Sequence, residues 1–112
     1  MTTTFFNTEK TIHLIAHIAS CLGRADFHRI FKILYFADEK HLALYGFPIV
    51  GDEYIAKKNG PVPSITYDIV KAAKNNNPNH FAANAFNDYL TITEPYFIQA
   101  KQAPNTALFA ET

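Results

Sequence analysis

Two pairs of residues in this chain have the types and spacing to do chemistry. Asp38 and His41 lie three positions apart, and His13 and His17 lie four apart. A carboxylate beside an imidazole is the core of an acid–base dyad, in which the carboxylate orients the ring and favours its protonated form. Histidines at i and i+4 project from one helix face and can share a metal ion. Neither pattern is complete. No serine or cysteine near Asp38 and His41 is marked as a nucleophile, and Cys21 precedes Leu22-Gly23 with no elbow or Cys–His signature around it. The segment HLIAH lacks the glutamate of a metalloprotease helix. Solvated histidines on a polar face are the plainer reading of His13 and His17, and no metal or other cofactor is expected.

The element that must position Asp38 and His41 is the stretch from Asp26 to Gly46, DFHRIFKILYFADEKHLALYG. Asp26 can cap its start by accepting from free N–H groups of the first turn. Gly46 stands where a left-handed residue ends a helix. At about 100° per residue, Phe27, Ile30, Phe31, Leu34, Leu42 and Tyr45 share one face, and Asp38 and His41 fall inside it. Buried polar groups must be hydrogen-bonded, and a satisfied network favours one packing over its alternatives. The preferred reading is therefore a buried lock between this helix, the strand that follows and the Gly60-Pro61-Val62-Pro63 connector. Tyr54, Tyr67 and backbone groups near Gly60 are its expected partners.

The bulk numbers narrow the function classes. The chain has 112 residues, enough for one domain with a single core. Its apolar fraction of 48% supplies the material for that core. Ten basic and ten acidic residues cancel, which argues against nucleic acid as a partner. A single cysteine excludes an internal disulfide framework or a multi-cysteine zinc site. No charged n-region leads into an apolar h-region, and no apolar run approaches the roughly 20 residues of a membrane span. The expected location is the cytoplasm, with no membrane partner. Ten phenylalanines and six tyrosines without a tryptophan mostly mean core, and exposed ones would suit a protein-binding surface. Gly51 and Gly60 form no phosphate loop, because no glycine-rich turn leads into a lysine and a helix.

Residues 1 to 7 read as an extended lead-in, with Asn7 capping a first helix from Thr8 to about Leu22. Its apolar face is Ile12, Ile15, Ala16, Ala19 and Leu22, with His13 and His17 opposite beside Glu9 and Ser20. Gly23 to Ala25 reads as a tight connection, so the first two helices should pack as a pair. Asp52 to Lys58 reads as a short strand, and the two prolines of GPVP as a stiff connector. Ser64 should cap a third helix, Ile65 to about Lys74, followed by the loop NNNPN. His80 to Asn87 is ambiguous between helix and loop. Tyr89 to Thr93 and Tyr96 to Gln102 read as a hairpin through Glu94-Pro95. With the strand at 52–58 they would make a three-stranded antiparallel sheet. The expected class is α+β, mainly helical with a small antiparallel sheet. Pro104 to Thr112 looks like a turn opening a further helix, as if a longer chain had been shortened.

An ordered series of residues then resembles a known family. It runs Ile33-Leu34-Tyr35-Phe36-Ala37-Asp38, His41-Leu42, Tyr45-Gly46-Phe47-Pro48-Ile49, Gly51-Asp52, Tyr54-Ile55-Ala56, Gly60-Pro61-Val62-Pro63 and Tyr67. This is similar to the Panacea domain, the SocA-like antitoxin domain also found in phage-associated proteins. Phe47 stands where that family often carries arginine. The series is dense from Lys32 to Tyr67, and the element order fits across about residues 8 to 109. The resemblance implies a non-enzymatic protein that binds and neutralises a partner toxin, with one branch acting as an adaptor to a protease complex. It implies one Panacea-like domain over residues 1–112, lacking C-terminal helices that many members carry. It also implies that Tyr35, Asp38, His41, Gly46, Pro48, Gly51, Tyr54, Gly60, Pro61, Pro63 and Tyr67 hold the architecture and do not catalyse. Two alternatives stay open at this point: a small metal-dependent or acid–base hydrolase using Asp38 and His41, and a winged-helix-like nucleic-acid binder.

Overall fold

The computed structural model describes residues 6–77, 79–93 and 97–106. The Glu94-Pro95 junction of the expected hairpin, most of the lead-in and the segment from Ala107 onward lie outside them. The element order is α1 (Thr8–Leu22), β1 (Arg24–Asp26), α2 (Phe27–Tyr45), β2 (Tyr54–Lys57), β3 (Gly60–Pro63), α3 (Ser64–Lys74), α4 (Phe81–Tyr89), β4 (Leu90–Thr93) and β5 (Phe97–Ala100). This is a mainly helical α+β architecture with small antiparallel sheets, as the pattern of the chain predicts.

The first two helices begin and end on their expected signals. Asn7 Oδ1 accepts from the Lys10 N–H at 2.9 Å, and Asp26 Oδ1 accepts from the His28 N–H at 2.8 Å. Gly46 is left-handed (φ 84°), and its N–H closes the last turn of α2 on the Leu42 carbonyl. The ambiguous stretch after residue 80 is helix α4, started by His80, whose Nδ1 accepts from the Ala83 N–H at 3.1 Å.

The sheets differ from expectation. The short Gly23–Ala25 link contains a strand, β1, which pairs with β5, so the three-stranded sheet runs β1-β5-β4. The 52–58 strand, shortened to β2, pairs instead with the GPVP segment, which is itself strand β3. Two prolines are tolerated there because of register. The two-residue turn makes Lys57 and Gly60 the closing hydrogen-bonded pair, and alternation then puts Pro61 and Pro63 at positions that need donate nothing to β2. The far side of β3 packs against α2 and not against another strand.

One buried cluster joins the layers. It takes Ile12, Ile15, Ala16 and Ala19 from α1, Phe27, Ile30, Phe31 and Leu34 from α2, and Ile69, Val70, Phe86, Leu90 and Ile98 from the rest. The radius of gyration, 13.1 Å, matches the roughly 13 Å of a compact body of this length. Helices α1 and α2 are not the close pair expected, since β1 intervenes: α1 lies mainly against α4 and β5, and α2 against β3. This central position also buries His13, which periodicity placed on the polar face with His17. His13 is only 4% exposed. Its ring packs on Tyr89 at 4.2 Å between centroids, and its Nδ1 accepts from the Asn105 N–H at 2.8 Å.

Gly60 carries φ +119°, a conformation that L side chains rarely adopt, although an added Cβ would meet only the Lys32 Cε at an ordinary 3.6 Å. Gly60→Ala should therefore destabilise through backbone strain and not through a clash, by about 1–3 kcal/mol. Urea unfolding of the two proteins measures this. An unchanged midpoint would show that the β2–β3 turn relaxes freely.

Candidate functional site

The buried polar residues of α2 face the loop that leads from Gly46 to β2. Asp38 is 6% exposed and uses both carboxylate oxygens. Oδ1 accepts from the Val50 N–H at 2.8 Å, and Oδ2 accepts from the Tyr54 hydroxyl at 2.8 Å. One turn further, the Nδ1–H of His41 donates to the Phe47 carbonyl, which fixes the tautomer because a carbonyl can only accept. Two residues on the same helix face thus hold the loop at both of its ends.

Asp38 and His41 do not bond to each other. Nδ1 of His41 is taken by backbone, and its Nε2 is sealed from solvent with no hydrogen-bond partner. The ring is flanked by Tyr45 at 4.6 Å and Phe47 at 4.9 Å. A dyad needs the carboxylate on one ring nitrogen and substrate access to the other. This arrangement offers neither. Among the described residues no group of three or more His, Cys, Asp and Glu side chains converges to hold a metal. His17 lies near the exposed Cys21 instead, at 3.9 Å.

The loop then reaches a second anchor. Asp52 Oδ1 accepts from the Ile65 N–H at 3.0 Å, and Oδ2 from the Thr66 N–H at 2.8 Å and the Thr66 hydroxyl at 2.7 Å. These are the orphan donors of the first turn of α3. Ser64, the expected cap, is already in the helix, and Pro63 at the cap position makes no side-chain bond. A carboxylate 12 residues upstream does the capping. The Gly51-Asp52 pair carries no local sign of this role, because the contact exists only once the β2–β3 hairpin has folded back.

The remaining motif residues fall in three places. Tyr35 packs edge-on against Tyr54 at 5.2 Å, and its hydroxyl donates to Glu39 Oε2 at 2.9 Å. That bond and the Glu39 charge raise its pKa. Tyr35, Tyr54, Gly60 and Pro61 line one depression of about 300 Å³. Pro48 and Gly51 lie in the clamped loop, and Gly46 closes α2. Tyr67 stands apart: it packs on Phe31 at 5.9 Å and is 37% exposed. Of the expected partners Tyr54 joins Asp38, while Tyr67 and the Gly60 backbone do not, and the Val50 N–H is the second donor.

Burial first, and then the Asp38 charge and hydrogen bond, push the Tyr54 phenol far above its ordinary 10.0. The folded protein therefore holds this proton where the unfolded chain has lost it. The contribution is fully present below pH 10 and disappears as pH rises beyond it. Above pH 10 the wild type should lose stability more steeply than Tyr54→Phe, by up to about 1.4 kcal/mol per pH unit. Unfolding titrations of the two proteins between pH 8 and 11 measure the difference. Near neutrality, Asp38→Asn should cost about 1–3 kcal/mol, because an amide nitrogen cannot accept from either donor that faces Asp38. His41→Ala should lower the melting temperature as well, by leaving the Phe47 carbonyl unpaired.

The fold and this clamp can be set beside known proteins. The chain matches no curated protein and no solved structure. A family model, the antitoxin SocA-like Panacea domain, matches residues 30–111. That span takes in α2 from Ile30 onward, the clamped loop, the β2–β3 hairpin and everything described after it. The lock on Asp38 and the cap by Asp52 both fall within it, and the chain belongs to the SocA-like Panacea antitoxin family.

Proposed function

We propose that this chain is an antitoxin-type binding domain that neutralises a partner toxin by direct contact, with no catalytic step of its own. The supporting observation is the state of the second half of α2. Phe36, Leu42, Leu44 and Tyr45 are 58%, 52%, 63% and 61% exposed, and Phe47 just beyond is 50% exposed. At about 100° per residue Leu42 and Tyr45 share one side of the helix, and Phe36 and Leu44 fall on the other. Exposed apolar clusters of this kind mark protein–protein contacts. Leu42 and Tyr45 were expected on the core face, but α2 extends past the body of the fold, and the 46–53 loop covers only Asp38 and His41.

In this reading the motif residues keep their structural role, holding the loop so that the end of α2 is presented rigidly. The whole of residues 1–112 acts as one domain, in a cytoplasmic toxin–antitoxin pair of bacterial or phage origin. Delivery of the toxin to a protease complex is a further mode of neutralisation open to the same surface. No helix among the described residues is long and apolar enough to cross a membrane. The sealed Nε2 of His41 speaks against a hydrolase built on Asp38 and His41. The zero net charge speaks against a nucleic-acid binder.

Co-expression with the product of a neighbouring gene tests this reading. Growth should be rescued by the wild type and lost with Leu42→Asp/Leu44→Asp, whose melting temperature should stay within about 3 °C of wild type because both side chains are exposed. Rescue that survives the double substitution would move the contact elsewhere. A set of neighbours with no toxic member would remove the antitoxin role.

A further inference from the structure

The net charge of zero conceals a local separation of charge. Between the start of α2, the β2–β3 turn and α3 lies an open cleft of about 560 Å³. Phe27, Phe31 and Val62 form its floor, and the half-exposed ring of Tyr67 forms one wall. Lys57, Lys58 and His28 stand at its rim, and no carboxylate among the described residues lines it. Lys71 adds a further cation, its Nζ lying 4.7 Å from the Tyr67 ring centroid and 3.4 Å from Asp68. The nearest helix start is occupied, because the His28 N–H already donates to Asp26.

We propose that this cleft binds an acidic peptide segment that places one aromatic side chain against Tyr67 and the apolar floor. The argument is complementarity of two kinds. Two lysines projecting from a tight turn attract carboxylates without demanding a fixed geometry, while an aromatic-lined floor rewards burial of a ring. A free phosphate or a nucleotide is less well served. Such ligands are held by convergent backbone N–H groups, and here the available helix start is capped while the cations sit on an exposed hairpin. The source of the segment is the protein partner, and that attribution rests on the function proposed above. The binding itself does not.

Fluorescence anisotropy with two labelled heptapeptides, SDEFDES and SDESDES, tests the cleft in the isolated protein. The first should bind, and replacing its single Phe by Ser should weaken binding about tenfold. Added salt should weaken both. Lys57→Glu/Lys58→Glu should abolish binding with an unchanged melting curve, whereas Leu42→Asp/Leu44→Asp should bind like the wild type. No binding by the wild type, equal affinity for the two peptides, or indifference to the charge reversal would each overturn the proposal. Displacement of the peptide by an equal concentration of ATP or inorganic phosphate would reassign the cleft to small anions and overturn it too. In the co-expression assay, rescue that is lost with the Leu42/Leu44 pair but kept with the lysine reversal would remove the toxin as source of the segment while leaving the antitoxin role intact.

Discussion

The arrangement depends on a carboxylate placed where a hydrophobic residue would ordinarily stand. Asp38 is carried into the protein by the apolar stripe of α2 and must there find donors. It finds two, the Val50 N–H and the Tyr54 hydroxyl. Removing a carboxylate from water is costly, and hydrogen bonds from protein offset that cost only when the geometry is good. The value of such a group lies in choice among packings more than in net stability. With Asp38 satisfied, Val50 enters the core with 1% exposure, Tyr54 is set in register against Pro63, and the β2–β3 hairpin lies along α2. The field of the same carboxylate reaches α1, where it partly offsets the lowering of the Lys10 pKa by burial.

Much of this was legible in the chain because it is local. The caps of α1 and α2, the left-handed Gly46 and the apolar stripe all follow from neighbours within a few positions. The burial of Asp38 and His41 within that stripe is legible for the same reason, whereas the Val50 and Phe47 backbone groups that meet them are not. Besides the capping of α3 by Asp52, three features were not legible. β1 is three residues long and is a strand only because β5 passes beside it. GPVP looks like a connector until its pairing parity is known. His13 lies on the polar side by periodicity, and periodicity gives the direction of burial but not its width. In a small fold with α1 at the centre, that width covers most of the helix.

α2 has two halves that differ in burial. Its first half supplies Phe27, Ile30, Phe31 and Leu34 to the common core, and its second half, past the polar lock, carries apolar side chains that the rest of the fold does not cover. The lock sits at the join. A rigid presentation lowers the ordering cost of binding, since the helix end need not be immobilised when a partner arrives. Asp38 and His41 face inward to the loop, while Phe36, Leu42 and Tyr45 of the same series face outward.

Asp52 gives this arrangement a further property. A helix capped by its own neighbour frays independently of distant parts of the chain. α3 is capped by a residue from the loop before β2, so the first turn of α3 and that loop open together or not at all. Through Asp38 the same loop is tied to α2. α2 and the first turn of α3 are thus joined through the same loop by hydrogen bonds to two carboxylates, Asp38 and Asp52.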